Sequence, residues 1–286
     1  MTPWQRVNLA MQASLGSALG ELFWYALMAS LVWVGFYVVF RTHMRRRRVS
    51  PSEPTGGQVR REMLHSLRSI AIFGLVTAFV VFAAWSGWTR MYRRIDEYGW
   101  GWLVTSVGVM VLMHDTYFYF THRLMHHRRL FRHIHRTHHL SISPTPWAAY
   151  AFSPIEAVVQ AGIGPLIVCT IPTHPLAFSA FMVWQITFNV FGHCGYEIFP
   201  RWFLRTPAGW VLNSVTHHAQ HHEKFQANYG LYFNVWDRLL GTNHPDYEAR
   251  FAEATAKAAQ DEVSVVGVGD PCDVLQGSVG GENARR

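Results

Sequence analysis

The chain has 286 residues, of which half are apolar, 15% aromatic and only 15% charged; soluble domains carry about 25% charged residues, and so aromatic a chain is not disordered. The formal charge of +7 sits beside long apolar runs, which points to an anionic membrane face rather than to nucleic acid. Three widely spaced cysteines, Cys169, Cys194 and Cys272, exclude a disulfide framework and a CxxC metal site.

The first charge-free run, Leu22 to Phe40, is long enough to cross a hydrocarbon core of about 30 Å as a helix. Arg41 and Arg45 to Arg48 follow it, so the positive-inside bias puts that end in the cytoplasm and the N-terminus outside. Residues 50–58 read as a Pro/Gly/Ser linker. Arg60, Arg61 and Arg68 then lead into a second uncharged run, Ser69 to Thr89. Trp85, Trp88, Trp100 and Trp102 form an interfacial aromatic belt. A third span is expected from about Tyr98 to Phe120. Ala157 to Tyr196 contains no Asp, Glu, Lys or Arg; one helix of that length would measure about 60 Å. Pro165, Pro172 and Pro175 interrupt it, which predicts a helical hairpin of two short spans. Residues 251–260 could form a surface helix, and the Gly-rich end from about Val263 reads as disordered.

The expected fold is an all-α integral membrane protein with about four to five transmembrane helices, the hairpin included, and a cytoplasmic helical cap. Residues 1–68 hold the first helix and the basic linker, 69–250 a membrane catalytic domain, and 251–286 a largely disordered tail.

Seventeen histidines are the anomaly, and seven of them lie between His122 and His139. His122 and His126 are four apart, on one helical face. His135, His138 and His139, at i, i+3 and i+4, again share one helical face, an HxxHH spacing that His218, His221 and His222 repeat; His193 closes the last span, with Asn189 one turn before it. Neutral imidazole is a common metal ligand, and nine such residues exceed one four-ligand site, so two metals are expected at the cytoplasmic end of the spans. His127 and His133 fall off the shared faces, His217 is ambiguous, and His114 lies two turns behind His122. His43, His65, His174 and His244 lack the spacing and read as surface or interfacial residues. A histidine-rich metal transporter would need ligands and acidic partners along the spans, and those are almost free of acids. A haem-binding electron carrier would pair histidines on separate helices. A zinc hydrolase of the HExxH type lacks its motif.

HRLMH, HRTHH and HAQHH, in this order, resemble the three histidine boxes of the fatty acid hydroxylase / sterol desaturase superfamily of membrane di-iron enzymes. DTYFYFTHRLMHH from Asp115 is similar to the segment entering the first box. HRTHHLSISPTPWAAYAFSPIE resembles the second box and its Pro-Thr-Pro segment, most like that of sterol C-5 desaturases. Asn228-Tyr229-Gly230, Trp236-Asp237-Arg238 and Gly241-Thr242 resemble the segment after the third box.

The resemblance covers about residues 70 to 245 and implies metal ligation by His122, His126, His135, His138, His139, His193, His218, His221 and His222. Some relatives carry a further histidine where this chain has Asn189, which is kept as an uncertain tenth ligand. Asp115, and less so Asp237, would accept an imidazole N–H behind the ligands. Asn228, Tyr229 and Gly230 would form a turn positioning the third box. The implied chemistry is hydroxylation or desaturation of a lipid C–H bond, with two iron ions as cofactor and O₂ as co-substrate. The lipid, sterol-like or fatty acyl, would enter from the bilayer. Electrons would come from a separate donor of the ferredoxin, cytochrome b5 or reductase type, since no GxGxxG fingerprint is present. The composition leans toward a bacterial inner membrane over the endoplasmic reticulum, and no nucleic-acid partner or oligomeric state is indicated.

Overall fold

The computed structural model describes the chain over residues 2–266. Thr2 starts the first helix: its hydroxyl accepts the Gln5 N–H, and Gln5 Oε1 accepts the Thr2 N–H, a reciprocal cap ahead of Pro3. That helix, α1 (Pro3–Trp33), continues through a wider turn at Val34–Val39 and is followed by the short α2 (Arg41–Arg45). Thr55 caps α3 (Gly56–Trp85), and α4 (Gly99–Met125) and α5 (Arg128–Ile134) come next. The hairpin consists of α6 (Pro154–Ala161), α7 (Ile163–Thr170) and α8 (Pro175–Gly192). Four short to medium helices complete the fold: α9 (Pro207–Val211), α10 (Val215–Lys224), α11 (Val235–Leu239) and α12 (Tyr247–Val266). No strand is present among the described residues, only isolated bridges.

Among the described residues, four helical segments are long and apolar enough to cross a membrane: Pro3–Val39, Gly56–Trp85, Gly99–Met125 and Pro175–Gly192, with Pro154–Thr170 shorter. Large apolar side chains such as Leu31, Val38, Leu75, Phe79, Val104 and Leu112 face outward along them. A belt of this kind is stable only against lipid. The chain is therefore an all-helical membrane protein with a hairpin.

Three boundaries differ from the sequence reading. The first helix begins at Pro3 instead of Leu22, because Glu21, which ended the charge-free run, is turned inward against Tyr150 and Gln185. Helix α3 likewise starts thirteen residues before Ser69, with Glu62 buried beneath Gln58 and Thr145, so the expected division after residue 68 falls inside a helix. Helix α12 occupies the start of the segment expected to be a tail, and Phe251 and Thr255 are buried. The disorder expected from about Val263 lies mostly outside the described residues.

Helices α1 and α3 are in close contact. Ser14 Oγ donates to the Gly74 carbonyl at 2.6 Å, and a Cβ at Gly74 would lie 3.0 Å from both the Ser14 oxygen and the Ala18 Cβ. Small residues allow such backbone approach in membranes, where packing replaces the hydrophobic drive. Helices α4 and α8 pack together and end, at His126 and His193, on the side of the bundle that carries linker residues 46–50. That linker is tied down by Val49 N–H to Gly195 O (3.0 Å) and Glu197 N–H to Arg47 O (2.8 Å). Gly74→Ile should separate α1 from α3 and cost roughly 1–3 kcal/mol, read as a lower thermal midpoint of the detergent-purified protein.

Candidate metal centre

Each histidine box enters the centre from a different local structure. His122 lies in the last turn of α4, and His126 is the residue that ends it. His135 closes α5, while His138 and His139 sit in a separate turn of 3₁₀ helix, His138–Leu140. The sequence reading placed these three on one helical face; instead the chain bends between His135 and His138. Ser214 caps α10, which carries the third box. His193 ends α8.

The nine histidines converge into two groups. One holds His122, His126, His135, His139 and His221; the other holds His138, His193, His218 and His222. Both HxxHH motifs are therefore divided. In the second motif His218 and His222, one turn apart, face one group and His221 the other. The groups adjoin through His139 and His222, whose ring centroids are 4.8 Å apart.

In every case the inward atom is Nε2. His122 and His135 approach at 2.9 Å, His126 and His139 at 3.2 Å, and His139 and His221 at 3.1 Å. In the other group the contacts are His138–His193 at 3.3 Å, His193–His218 at 3.0 Å and His218–His222 at 3.2 Å. The outward atom, Nδ1, is committed elsewhere in five of the nine. It donates to the carbonyl of Tyr229 from His122 (2.8 Å), of Asn189 from His193 (2.7 Å), of Ala227 from His221 (2.7 Å) and of Ser141 from His222 (3.0 Å). His135 Nδ1 donates to Glu156 Oε1 at 2.6 Å.

An acceptor on Nδ1 fixes the proton there and leaves Nε2 as a bare lone pair. Lone pairs packed about 3 Å apart in a buried site repel one another unless a cation lies between them. An ion bound to imidazole nitrogen at about 2.0–2.1 Å separates neighbouring nitrogens by roughly 3 Å, so the donor set fits a metal in each group. The rings stay neutral, as ligation requires. Burial, reinforced by neighbouring imidazoles, holds His135, His138, His139, His218, His221 and His222 well below the usual histidine range. Burial lowers His193 to about 4.

The supporting residues differ from those expected. Asp115 meets no imidazole: Oδ1 accepts the backbone N–H groups of Tyr232 (2.9 Å) and Phe233 (3.1 Å). Asp237 accepts those of Tyr229 (2.9 Å) and Gly230 (2.7 Å) and the Thr242 hydroxyl. Its nearest imidazole is His217, at 3.5 Å and outside both groups. The two acids thus anchor the loop whose Tyr229 carbonyl orients His122. Asn228, at φ 60°, accepts His244 N–H and donates to the His217 carbonyl, so the Asn-Tyr-Gly segment is tied to the helix of the third box, although residues 228–230 have no regular structure and do not form the expected turn. A Cβ at Gly230 would meet Phe233 O at 2.5 Å and Asp237 Oδ2 at 2.9 Å. Asn189 gives its side-chain N–H to Ala149 O (2.9 Å) and its backbone carbonyl to His193, the contacts of a residue that orients a ligand. His127 and His133 are exposed. His217 bonds Asn243, and His114 bonds Tyr232 at 2.8 Å. His174, expected at the surface, is buried and caps α8, its Nδ1 accepting Leu176 N–H.

Sequence reasoning missed Glu156 and Phe225. Glu156 is the last acid before forty uncharged residues, a position that could have marked it as a buried partner. Phe225 takes the left-handed conformation (φ 66°) that ends α10, and its ring lies 4.8 Å from His139; a bulky residue there costs about 1–2 kcal/mol.

Glu156→Ala should lower metal affinity by about 10–100-fold in chelator competition, whereas His133→Ala should leave it unchanged. Because the folded histidines titrate below those of the unfolded chain, the unfolded state binds more protons between about pH 4 and 6.5. Stability of the metal-free protein should be flat above neutrality and fall as the pH drops through that window, as measured by thermal melts from pH 8 to pH 5.

The fatty acid hydroxylase family model matches residues 107–242, which contain all nine histidines. A Delta(7)-sterol 5(6)-desaturase of Gibberella zeae is 32% identical over 239 residues, 84% of this chain and 69% of that protein. A Delta(7)-sterol 5(6)-desaturase of Aspergillus fumigatus is 30% identical over 84% of this chain and 76% of its own length. A lathosterol oxidase of Rattus norvegicus is 31% identical over 66% of this chain and 62% of its own. No solved structure matches. These relatives come from fungi and a mammal, so the lean toward a bacterial membrane gains no support. The helical membrane fold, the ordered histidine motifs and this similarity place the chain in the fatty acid hydroxylase family, as an O₂-dependent membrane oxidoreductase acting on lipid C–H bonds.

Proposed function

We propose that the two histidine groups bind a pair of iron ions, and that the enzyme hydroxylates or desaturates a sterol-type lipid with electrons from a separate donor protein. The observation that carries this reading is the convergence of nine Nε2 atoms, each 2.9–3.3 Å from another. Reduced iron held there would supply O₂ activation. Imidazole suits iron, zinc, copper and nickel alike; the oxidative chemistry of the family selects a redox metal. The sterol class rests on the names of the relatives, which are Delta(7)-sterol 5(6)-desaturases and lathosterol oxidases. The Arg45–Arg48 run lies at the histidine end of the bundle, which supports a cytoplasmic site open to a soluble or membrane-bound donor.

The chain's own residues have definable tasks. Tyr229, Asn189, Ala227 and Ser141 carbonyls and Glu156 hold the imidazole tautomers. Phe131 and Phe225 pack against the first group, with ring centroids 5.3 Å from His126 and 4.8 Å from His139. Phe118 lies 4.8 Å from His122 and Phe152 5.3 Å from His138. Both line a cavity of about 840 Å³ that continues between α1, α3, α4, α7 and α8. Substrate in this cavity would lie against the Phe118 and Phe152 rings that flank His122 and His138.

Purified protein expressed with iron should contain about two irons per chain without a haem Soret band. His138→Ala and His221→Ala should each lose metal and at least about 100-fold in sterol oxidation, while inserting normally into membranes. Full activity in either variant would remove that residue from the centre.

A further inference from the structure

The cavity below the histidines is mostly apolar, yet its wall carries polar side chains that serve neither the metal groups nor helix capping. Glu21 of α1 and Gln185 of α8 meet at Tyr150: the Tyr150 hydroxyl donates to Glu21 Oε1, and Gln185 Nε2 reaches both of them. All three line the cavity. Their contacts use Oε1, which leaves Oε2 to meet a ligand, and the partners of the carboxyl are neutral side chains, not a cation. A carboxyl inside a membrane-spanning helix is costly to retain without a task. A second, independent feature points the same way. Gln160 of α6 faces the same cavity, is only 8% exposed, and its Nε2 has no hydrogen-bond partner. An unmet buried amide donor costs about 1–3 kcal/mol.

The depth of this polar cluster is set by the helices. Gln185 precedes His193, and His114 precedes His122, by eight residues each, which is roughly 12 Å along an α-helix. From Gln185 the cavity continues along α8 to Pro175, a further stretch of roughly 15 Å. The polar station therefore lies roughly 12 Å short of the histidine end, and the cavity extends beyond it toward Pro175, where Arg93 also lines the wall.

We propose that Glu21, Tyr150 and Gln185 form a recognition subsite for the hydroxyl group of a lipid alcohol. Glu21 Oε2 accepts the hydroxyl proton, while the Tyr150 hydroxyl and the Gln185 amide hold the carboxyl in place through Oε1. The hydrocarbon body of the lipid occupies the rest of the cavity between the helices. This rests on the reading that the cavity serves the histidine centre, and it adds the chemical class of the group that is recognised.

The test is equilibrium binding to the detergent-purified full chain, which requires no turnover. The probes are a radiolabelled Delta(7)-sterol with a free 3-hydroxyl, its 3-O-methyl ether, and hexadecanol paired with hexadecane. The wild type should prefer the sterol alcohol over the ether by about tenfold, the value of one well-made buried hydrogen bond. Glu21→Leu and Gln185→Leu should bring that ratio to within about twofold while retaining affinity for the ether, a change that loss of packing alone would not produce. If Glu21→Leu fails to fold, Gln185→Leu and Glu21→Gln carry the comparison. Preference for hexadecanol over hexadecane without sterol binding would support the hydroxyl subsite and overturn the sterol substrate. Equal binding of alcohol and capped or hydroxyl-free forms by the wild type would overturn the subsite, as would a preference that survives both leucine variants.

Discussion

Nine imidazole nitrogens are held with their lone pairs facing inward, about 3 Å apart, in a largely buried space, and the rest of the molecule is organised around that arrangement. Each ring gives up hydration and gains a neighbour that repels it. The arrangement is stable as part of a fold only if the outward nitrogens are bonded and a cation fills the interior. Four backbone carbonyls and one carboxylate meet the first condition for five of the nine rings, while Nδ1 of His138 and of His139 is buried without a partner. The preference for carbonyl acceptors has a chemical consequence. With a single carboxylate against the nine rings, the bound metals would keep most of their positive charge, unlike those of carboxylate-rich helical bundles.

Carbonyls orient rings only if their own segments are rigid. The loop that carries the Ala227 and Tyr229 carbonyls has no regular structure to stiffen it, and buried side chains do so instead. Asp237 gathers two backbone N–H groups and the Thr242 hydroxyl, Asp115 gathers two more from α4, and Asn228 links His217 to His244. Hydrogen bonds to charged groups contribute about 1.5–3 kcal/mol each. The acids of the family motif thus act on the ligands through the backbone, one step further from the metal than a direct carboxylate–imidazole pair.

The membrane supplies the other half of the function. Spans α4 and α8 end at the centre, so a lipid lying between helices reaches the histidines along the same direction as the helix axes. Phe118 and Phe152 form the inner wall of that route, and Phe131 and Phe225 pack against the first group. Eight of the nine rings are buried and His126 partly so, and the bilayer would provide the entry.

Much of the site was legible in the residues. The i, i+3, i+4 recurrence of histidine, the expectation of two sites and the meeting of the boxes at one end of the spans follow from local spacing and from charge bias, which need no knowledge of packing. The charge-free runs located the spans, though Glu21 and Glu62 hid the true starts of α1 and α3, because a charge count cannot tell that an acid is turned inward. The sequence could not divide HxxHH between two groups, replace Asp115 by Glu156 as the acid on a ring, or turn Asn189 into a support for His193. Those outcomes depend on which segments meet: His139 and His221 touch across 82 residues, and His122 and Tyr229 across 107. Spacing along a helix is fixed by covalent geometry and can be read from the chain, whereas the choice of partner for each nitrogen is made only when helix packing brings distant backbone within hydrogen-bonding reach.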